Sequence, residues 1–209
     1  MSPGYPVTLV VEDRPCLVVG GRGVARQKVI GLLAAGARVT VVAPEVDEDV
    51  AALDVVVERR PYRSGEVAGY RLVLTATGDP EVNRRVHADA EAAGVWVNAA
   101  DDPANCSFTL PAVVRRGDLS VAVATGGRSP ALASWLRARL EGELGPEYEV
   151  VLQLLASERD GLRSEGIATE GLPWRDALDG GLLDLVRQGR VDEARALIAG
   201  VVGGRAAWQ

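Results

Sequence analysis

With 209 residues, 47% of them hydrophobic, the chain is globular and long enough for one substantial core, or for a main domain of about 110 residues with a smaller partner. A formal net charge of −6 and a pI near 5.0 argue against nonspecific attraction to nucleic acid or an anionic membrane surface and favour a small-molecule partner. No apolar run approaches the length of a bilayer-spanning helix, and Met1 to Pro6 has no basic stretch or apolar core of a leader, so the chain reads as cytoplasmic and not membrane-bound. The two cysteines, Cys16 and Cys106, are far apart in no C-x-x-C arrangement, and a disulfide framework is not indicated.

Taken in order, Val7 to Val11 is a short apolar segment that suits an edge strand or small hairpin, and Glu12 to Pro15 is a turn-like break. Leu17, Val18 and Val19 then form the all-apolar run of a strand buried on both faces of a parallel sheet, ended by Gly20 and Gly21. From Val24 the apolar positions Ala25, Val29, Leu32 and Leu33 recur at helical spacing, and Gly36 closes that helix. A strand that feeds glycines into a helix start aims free N–H groups and the positive end of the helix dipole at one spot, which suits a pyrophosphate. Against the G-x-G-x-x-G/A fingerprint, Gly20, Gly21, Arg22, Gly23, Val24 and Ala25 keep the first glycine and the final small residue but carry Arg22 in the middle. The arginine either folds outward to pair with a phosphate, or the turn merely joins strand to helix.

Arg38 to Val42 is β-branched and reads as the next strand; Pro44 and Glu45 follow it, where a dinucleotide ribose would lie. Glu45 either accepts ribose hydroxyls or is a solvated surface acid. Val55 to Glu58 and Arg71 to Thr75 are further strands, and the alternation with helices points to an α/β fold. The turn from Thr75 through Thr77 to Pro80 lies at a strand carboxyl end, with Asp79 as N-cap and Pro80 at the first position of the following helix. The only histidine, His87, sits beside that helix's apolar stripe with no carboxylate or cysteine cluster near it in sequence, and takes no role. Val95 to Asn98 is another strand and runs into Ala99, Ala100, Asp101, Asp102 and Pro103. The two acids are either turn formers before the proline or include a general base facing the cleft.

Beyond them, Cys106 to Pro111 and Asp118 to Ala124 look like strands outside the first sheet, joined through Val113 to Gly117. Thr125, Gly126, Gly127, Arg128 and Ser129 make a second glycine-rich turn, and Ser129 caps a helix reaching about Leu144. Helices over Glu147 to Ala156, Trp174 to Gln188 and Val191 to Ile198 complete a small C-terminal unit, with no internal repeat.

Five segments in this order carry a resemblance: Pro15 to Gly21, Val24 to Lys28, Ala34 to Glu45, Asn98 to Pro103 and Thr125 to Ala133. Together they resemble the precorrin-2 dehydrogenase family, which includes the stand-alone enzyme and the N-terminal module of siroheme synthase, over residues from about 5 to 145. The resemblance implies a Rossmann-like parallel sheet in residues 1–112, a small β-containing dimerisation and substrate-site region in 113–145 and a helical region in 146–209. It implies NAD-dependent oxidation of precorrin-2 to sirohydrochlorin, with Asp101 as the catalytic base and Asp102 as the turn residue. NAD would lie along Gly20, Gly21, Arg22, Gly23, Val24, Pro44, Glu45 and Thr77, and the tetrapyrrole against Asn98, Thr125, Gly126, Gly127, Arg128 and Ser129. Some members also insert ferrous iron into sirohydrochlorin; with no His/Cys cluster in the sequence, iron would be a substrate and not a bound cofactor. Members are homodimers, which would place Phe108 to Leu110 and Leu119 to Val123 at a shared contact. The chain ends before the methyltransferase domain of the fused synthase, so methyl transfer is not expected. Two departures stand out: Arg22 replaces a glycine, and Ala99 and Ala100 replace bulkier aliphatic residues. Chelation without NAD-linked oxidation and a non-catalytic dinucleotide sensor are the alternatives.

Overall fold

A computed structural model describes residues 4–100 and 102–206, with side chains described as far as residue 203. The chain divides into two compact units, one of Met1–Leu110 and Gly126–Arg128, the other of Pro111–Thr125 and Ser129–Gln209.

The first unit is built on a five-stranded parallel sheet whose spatial order runs third, second, first, fourth, fifth. In chain order its strands are β1 Pro15–Val19, β2 Arg38–Ala43, β3 Val56–Arg59, β4 Leu72–Thr75 and β5 Trp96–Ala99. The helices between them are α1 Gly23–Leu33, the single-turn α2 Glu48–Ala51 and α3 Pro80–Ala93. Because β1 is central, it pairs on one side with β2 (Val18 opposite Val41) and on the other with β4 (Val18 opposite Leu74). The period of two along each strand divides the apolar residues between two layers. Cys16, Val18, Val39 and Val41 join Ala25 and Val29 of α1 on one face, and Leu17, Val19, Val42 and Val73 join Val86 and Ala90 of α3 on the other. Both faces are covered, which is why the strands read as continuous apolar runs. Asp79 caps α3 as expected, its carboxylate accepting from the N–H groups of Glu81 and Val82. Burial pushes the Cys16 thiol up to about 11.

The second unit holds an antiparallel hairpin, β6 Ala112–Arg116 with β7 Leu119–Val123, followed by α4 Pro130–Glu143 and α5 Glu147–Ser164. Arg116 ties the hairpin to the end of α4 by donating to the carbonyls of Leu144 (2.7 Å) and Glu141 (2.8 Å). Three further helices, α6 Trp174–Ala177, α7 Leu183–Arg187 and α8 Val191–Ala206, pack with α5 around Leu154, Ala177, Leu182, Ile198 and Val202.

Four expectations are corrected. Val7–Val11 is not a strand: Val7 and Val10 are exposed, only Val11 is buried, and the Arg14 N–H closes a turn onto the Val11 carbonyl. Cys106–Pro111 is not a strand either. Ser107 occupies the free edge of β5, its hydroxyl accepting from the Val97 N–H at 2.8 Å and its own N–H donating to the Val97 carbonyl at 2.8 Å, and Phe108 packs on the first unit's core. The hairpin therefore uses Ala112–Arg116, the stretch read as a connection, as its first strand. Residues 174–188 are not one helix, because a π turn over Leu178–Leu182 carries Gly181 at φ 94°. Finally, α5 and α8 run to Ser164 and Ala206, past the Ala156 and Ile198 expected as their ends.

The turn after β1 is held against two neighbouring backbone segments. A Cβ on Gly20 would lie 2.4 Å from the Ala76 carbonyl oxygen, and one on Gly21 would lie 2.3 Å from that of Glu45. Gly20 also has φ 127°, a region closed to side chains. Gly20→Ala is expected to cost at least about 3 kcal/mol in urea unfolding followed by circular dichroism. A loss under about 0.5 kcal/mol would mean that the turn relaxes freely.

Candidate dinucleotide and substrate site

The carboxyl ends of β1, β4 and β5 open on a cleft of about 470 Å³ lined by Val24, Ala76, Gly78, Asn83, Ala100 and Asp102. Openings at strand carboxyl ends, where the strand order reverses, are where parallel α/β sheets take ligands. Here the reversal falls between β1 and β4.

On the β1 side, Gly20 and Gly21 are buried and Arg22 is the N-cap of α1. No side chain caps this helix and its own first turn holds no acid, so its N–H groups are left to an anion. A Cβ on Gly23 would meet nothing within 4 Å, and Val24 is 51% exposed for an apolar side chain beside the cleft. These residues fit a pyrophosphate: the open helix start faces the cleft, and the glycine contacts hold the turn in place. Beyond β2, Pro44 and Glu45 are exposed, and the Glu45 carboxylate accepts from the Arg22 guanidinium at 2.5 Å. That contact and the charge of Glu45 raise the Arg22 pKa further above its already high value. Arg26, one turn along α1, forms its own ion pair with Asp49 at 2.9 Å.

On the β4 side, Thr77 is turned into its own loop. Its hydroxyl donates to Asn83 Oδ1 (3.0 Å) and accepts from the Asp79 N–H (3.0 Å). The half-buried His87 has its Nδ1 shielded from solvent without a hydrogen bond and does not line the cleft.

On the β5 side, the side chain of Asn98 is 7% exposed overall and engaged at both ends. Its Oδ1 accepts from Lys28 Nζ at 2.9 Å, and its Nδ2 donates to the Phe108 carbonyl at 3.0 Å. Cys106 completes the closure: its sulfur accepts from the Ala99 N–H at 3.1 Å and donates to the Ala99 or Asp102 carbonyl, each at 3.3 Å. Burial raises the Cys106 thiol pKa, opposed by the bond from the Ala99 backbone. The Ala100 N–H donates to the Thr75 carbonyl at 2.9 Å, and Asp102 accepts from Asn105 Nδ2 at 2.7 Å in the turn that leads into Pro103–Asn105. Asp101 lies outside the described residues.

The second glycine-rich turn is ordered by its own hydroxyls. Thr125 Oγ1 accepts from the Ser129 N–H (3.2 Å) and donates to the Ser129 carbonyl (3.1 Å), while Ser129 Oγ accepts from the Leu132 N–H (3.2 Å). Gly126 and Gly127 have φ 60° and 75°, and Arg128 is exposed. Among the described residues no group of three or more His, Cys, Asp or Glu side chains could hold a metal ion, and no helix is long and apolar enough to cross a membrane.

Sequence reading missed Lys28, Cys106, Ser107 and Asn83 as organisers of the site. Their signal was present only as polar residues whose partners lie 70, 7, 10 and 6 positions away in sequence.

A family described as "Putative NAD(P)-binding" matches residues 7–112. The chain belongs to this family. A second family, described as "Sirohaem biosynthesis protein central", matches residues 116–143 immediately after it. Siroheme synthase of Chromobacterium violaceum is 40% identical over 198 residues, covering 92% of this chain and 42% of that protein. Siroheme synthase of Pseudomonas entomophila is 38% identical over 207 residues, covering 95% and 44%. The chain thus spans less than half the length of these relatives. Among solved structures, "SirC, precorrin-2 dehydrogenase" superposes with a TM-score of 0.72 at 26% identity, covering 93% of this chain and 98% of that one. The resemblance carried by the five sequence segments is borne out, as is the α/β class with its Rossmann-like sheet. A nicotinamide dinucleotide is the cofactor class that goes with the family.

Removing the amide that joins Lys28 to the Phe108 carbonyl tests this reading of the β5 side. Asn98→Ala is expected to cost about 1–3 kcal/mol and to speed hydrogen exchange at the Ala99 and Ser107 amides. Unchanged exchange there would assign the loop's order to Cys106 alone.

Proposed function

We propose that this chain oxidises precorrin-2 to sirohydrochlorin with NAD+ as acceptor, a step of siroheme formation in the cytoplasm. The observation that carries the proposal is the cleft at the reversal of strand order, bordered by an uncapped helix start on one side and by Ala100 and Asp102 on the other. Support comes from the precorrin-2 dehydrogenase that this chain covers almost entirely. The stoichiometry is precorrin-2 plus NAD+ to sirohydrochlorin plus NADH and a proton.

When bound, the nicotinamide supplies the hydride acceptor. The chain's own residues bind, orient and move the proton. Backbone N–H groups of Gly23 and Val24 receive the pyrophosphate, which Gly20 and Gly21 allow by holding the turn in place. Glu45 accepts ribose hydroxyls, Pro44 stiffens its approach and Thr77 borders the nicotinamide half. Asp101 takes the proton that the macrocycle loses as the hydride leaves, and releases it to solvent. Asn98 sets the loop that carries this base. The Thr125 to Ser129 turn, with Gly126, Gly127 and Arg128, receives substrate carboxylates through N–H groups and the guanidinium. Ferrous iron is a second substrate in this reading, entering the product macrocycle as Asp101 accepts pyrrole protons.

Anaerobic incubation of the purified chain with precorrin-2 is expected to yield NADH and the sirohydrochlorin spectrum only when NAD+ is present. Asp101→Asn is expected to lower that rate by at least about 100-fold, with NAD+ binding by calorimetry retained. Full activity in Asp101→Asn would remove the base assignment. Iron insertion above a no-enzyme control, without oxidation, would replace the dehydrogenase by a chelatase.

The same reading makes the protein a homodimer with Phe108 to Leu110 and Leu119 to Val123 at the contact, to which α4 would add an exposed face. No residue of α4 is buried, and Leu132 and Trp135 on it are 48% and 57% exposed, the latter stacked under Arg139 at 5.7 Å. Light scattering is expected to give a dimer, and Trp135→Asp to shift it towards monomer by tenfold or more in dissociation constant, on the order of 1.4 kcal/mol. A monomeric wild-type protein at micromolar concentration would end this reading of α4.

A further inference from the structure

Arg22 stands where the resembled family has glycine, and the backbone there accepts it without strain. It is the N-cap of α1 with φ −113° and ψ −174°, extended backbone open to any residue. Its side chain does not project over the first turn of the helix. It crosses to the turn after β2, with Nη2 at 2.5 Å from Glu45 Oε2. Parallel nucleotide-binding sheets choose between two dinucleotides at this place. An acid accepts the ribose 2′-hydroxyl and repels a 2′-phosphate, whereas an arginine receives that phosphate. This chain carries both groups in contact.

We propose that the site accepts NADP+ as well as NAD+, with Arg22 as the residue that receives the 2′-phosphate; the proposal rests on the dinucleotide reading of the cleft. With NAD+, Arg22 holds Glu45 Oε2 and leaves Oε1, which has no hydrogen bond among the described residues, to the ribose hydroxyls. With NADP+, the guanidinium turns from the carboxylate to the phosphate. A phosphate dianion offers a guanidinium two parallel hydrogen bonds and more charge than a carboxylate. The exchange is easy because both partners are already in water, with side chains 73% and 76% exposed, and an exposed ion pair holds its members weakly. Arg26 lies one turn further along α1 and is less exposed, at 42%, in its own pair with Asp49. Glu45 and Asp47 both surround Arg22 with negative charge. Without the arginine, the rim would repel a 2′-phosphate outright.

Calorimetric titration of the full chain with NAD+ and with NADP+ tests this, using wild type, Arg22→Gly, Arg22→Lys and Glu45→Gln, each checked for an unchanged circular dichroism spectrum. Wild-type affinities for the two dinucleotides are expected to lie within about tenfold of each other. Arg22→Gly is expected to shift the ratio against NADP+ by at least about tenfold, and Glu45→Gln, which removes the competing carboxylate, to shift it towards NADP+. Arg22→Lys is expected to fall between wild type and Arg22→Gly, keeping the charge but losing the two-pronged geometry. Wild-type discrimination against NADP+ beyond about tenfold, or a ratio unmoved in Arg22→Gly, overturns the proposal while leaving the NAD+ site intact. Binding of neither dinucleotide overturns the cleft reading itself, and this inference with it.

Discussion

Two absent methyl groups fix the geometry on which the rest depends. The turn after β1 passes so close to the backbone beyond β4 and beyond β2 that side chains at Gly20 and Gly21 would penetrate carbonyl oxygens on both sides. Three segments that follow three different strands therefore meet at one point on the carboxyl edge of the sheet. The Gly20 N–H donates to the Val42 carbonyl, and the Asp47 N–H donates to the Gly21 carbonyl, so the contact is also hydrogen-bonded. Because the turn cannot move outward, α1 begins at the edge of the cleft, and its unpaired N–H groups are held there by the sheet. The glycines are thus not a flexible loop awaiting an anion. They are the reason the helix start is rigid.

The opposite wall is held by side chains. Cys106 and Ser107 return to β5 and occupy hydrogen-bonding positions at its outer edge that a further strand would otherwise fill, and Asn98 links that return to Lys28 on α1. The Ala99–Asp102 segment is consequently anchored at its start by a strand and at its end by a thiol and an amide. Burial favours the neutral Cys106 thiol, the form that can donate to a carbonyl while accepting from an N–H. A neutral thiol in this place anchors the segment without adding a charge beside the cleft.

Much of the fold was legible because its signals are local. The apolar run Leu17 to Val19, the glycine pair and the helical spacing from Val24 specify strand, turn and helix within twenty residues, and Asp79 and Ser129 are capping residues whose partners are two or three positions away. Where the reading slipped, the deciding partner was distant. Cys106 to Pro111 has the composition of a strand, but Ser107 spends both its hydroxyl and its N–H on Val97. Val7 to Val11 has the pattern of an edge strand, yet it joins neither sheet of the described residues. The α5 and α8 helices extend through Gly161, Gly200 and Gly203, where tertiary packing overrides weak helix propensity. For the site, the glycine turn, Glu45 and the Asp79 turn could be placed from spacing. The contact of Arg22 with Glu45 could not, since it joins the ends of two strands whose adjacency is itself a tertiary fact.

The central position of β1 also has a consequence for the order of events during synthesis. Leu17 is fully buried between Thr40 and Val73, so β1 is made before either of the two strands that flank it. At roughly 5–20 residues per second, about 3–11 s separate the emergence of Leu17 from that of Val73. For that interval one edge of the most apolar strand in the chain has no partner, while β2 and α1 already cover part of the rest. Until β4 docks, that open edge is the part of the nascent sheet that can pair with a neighbouring nascent copy.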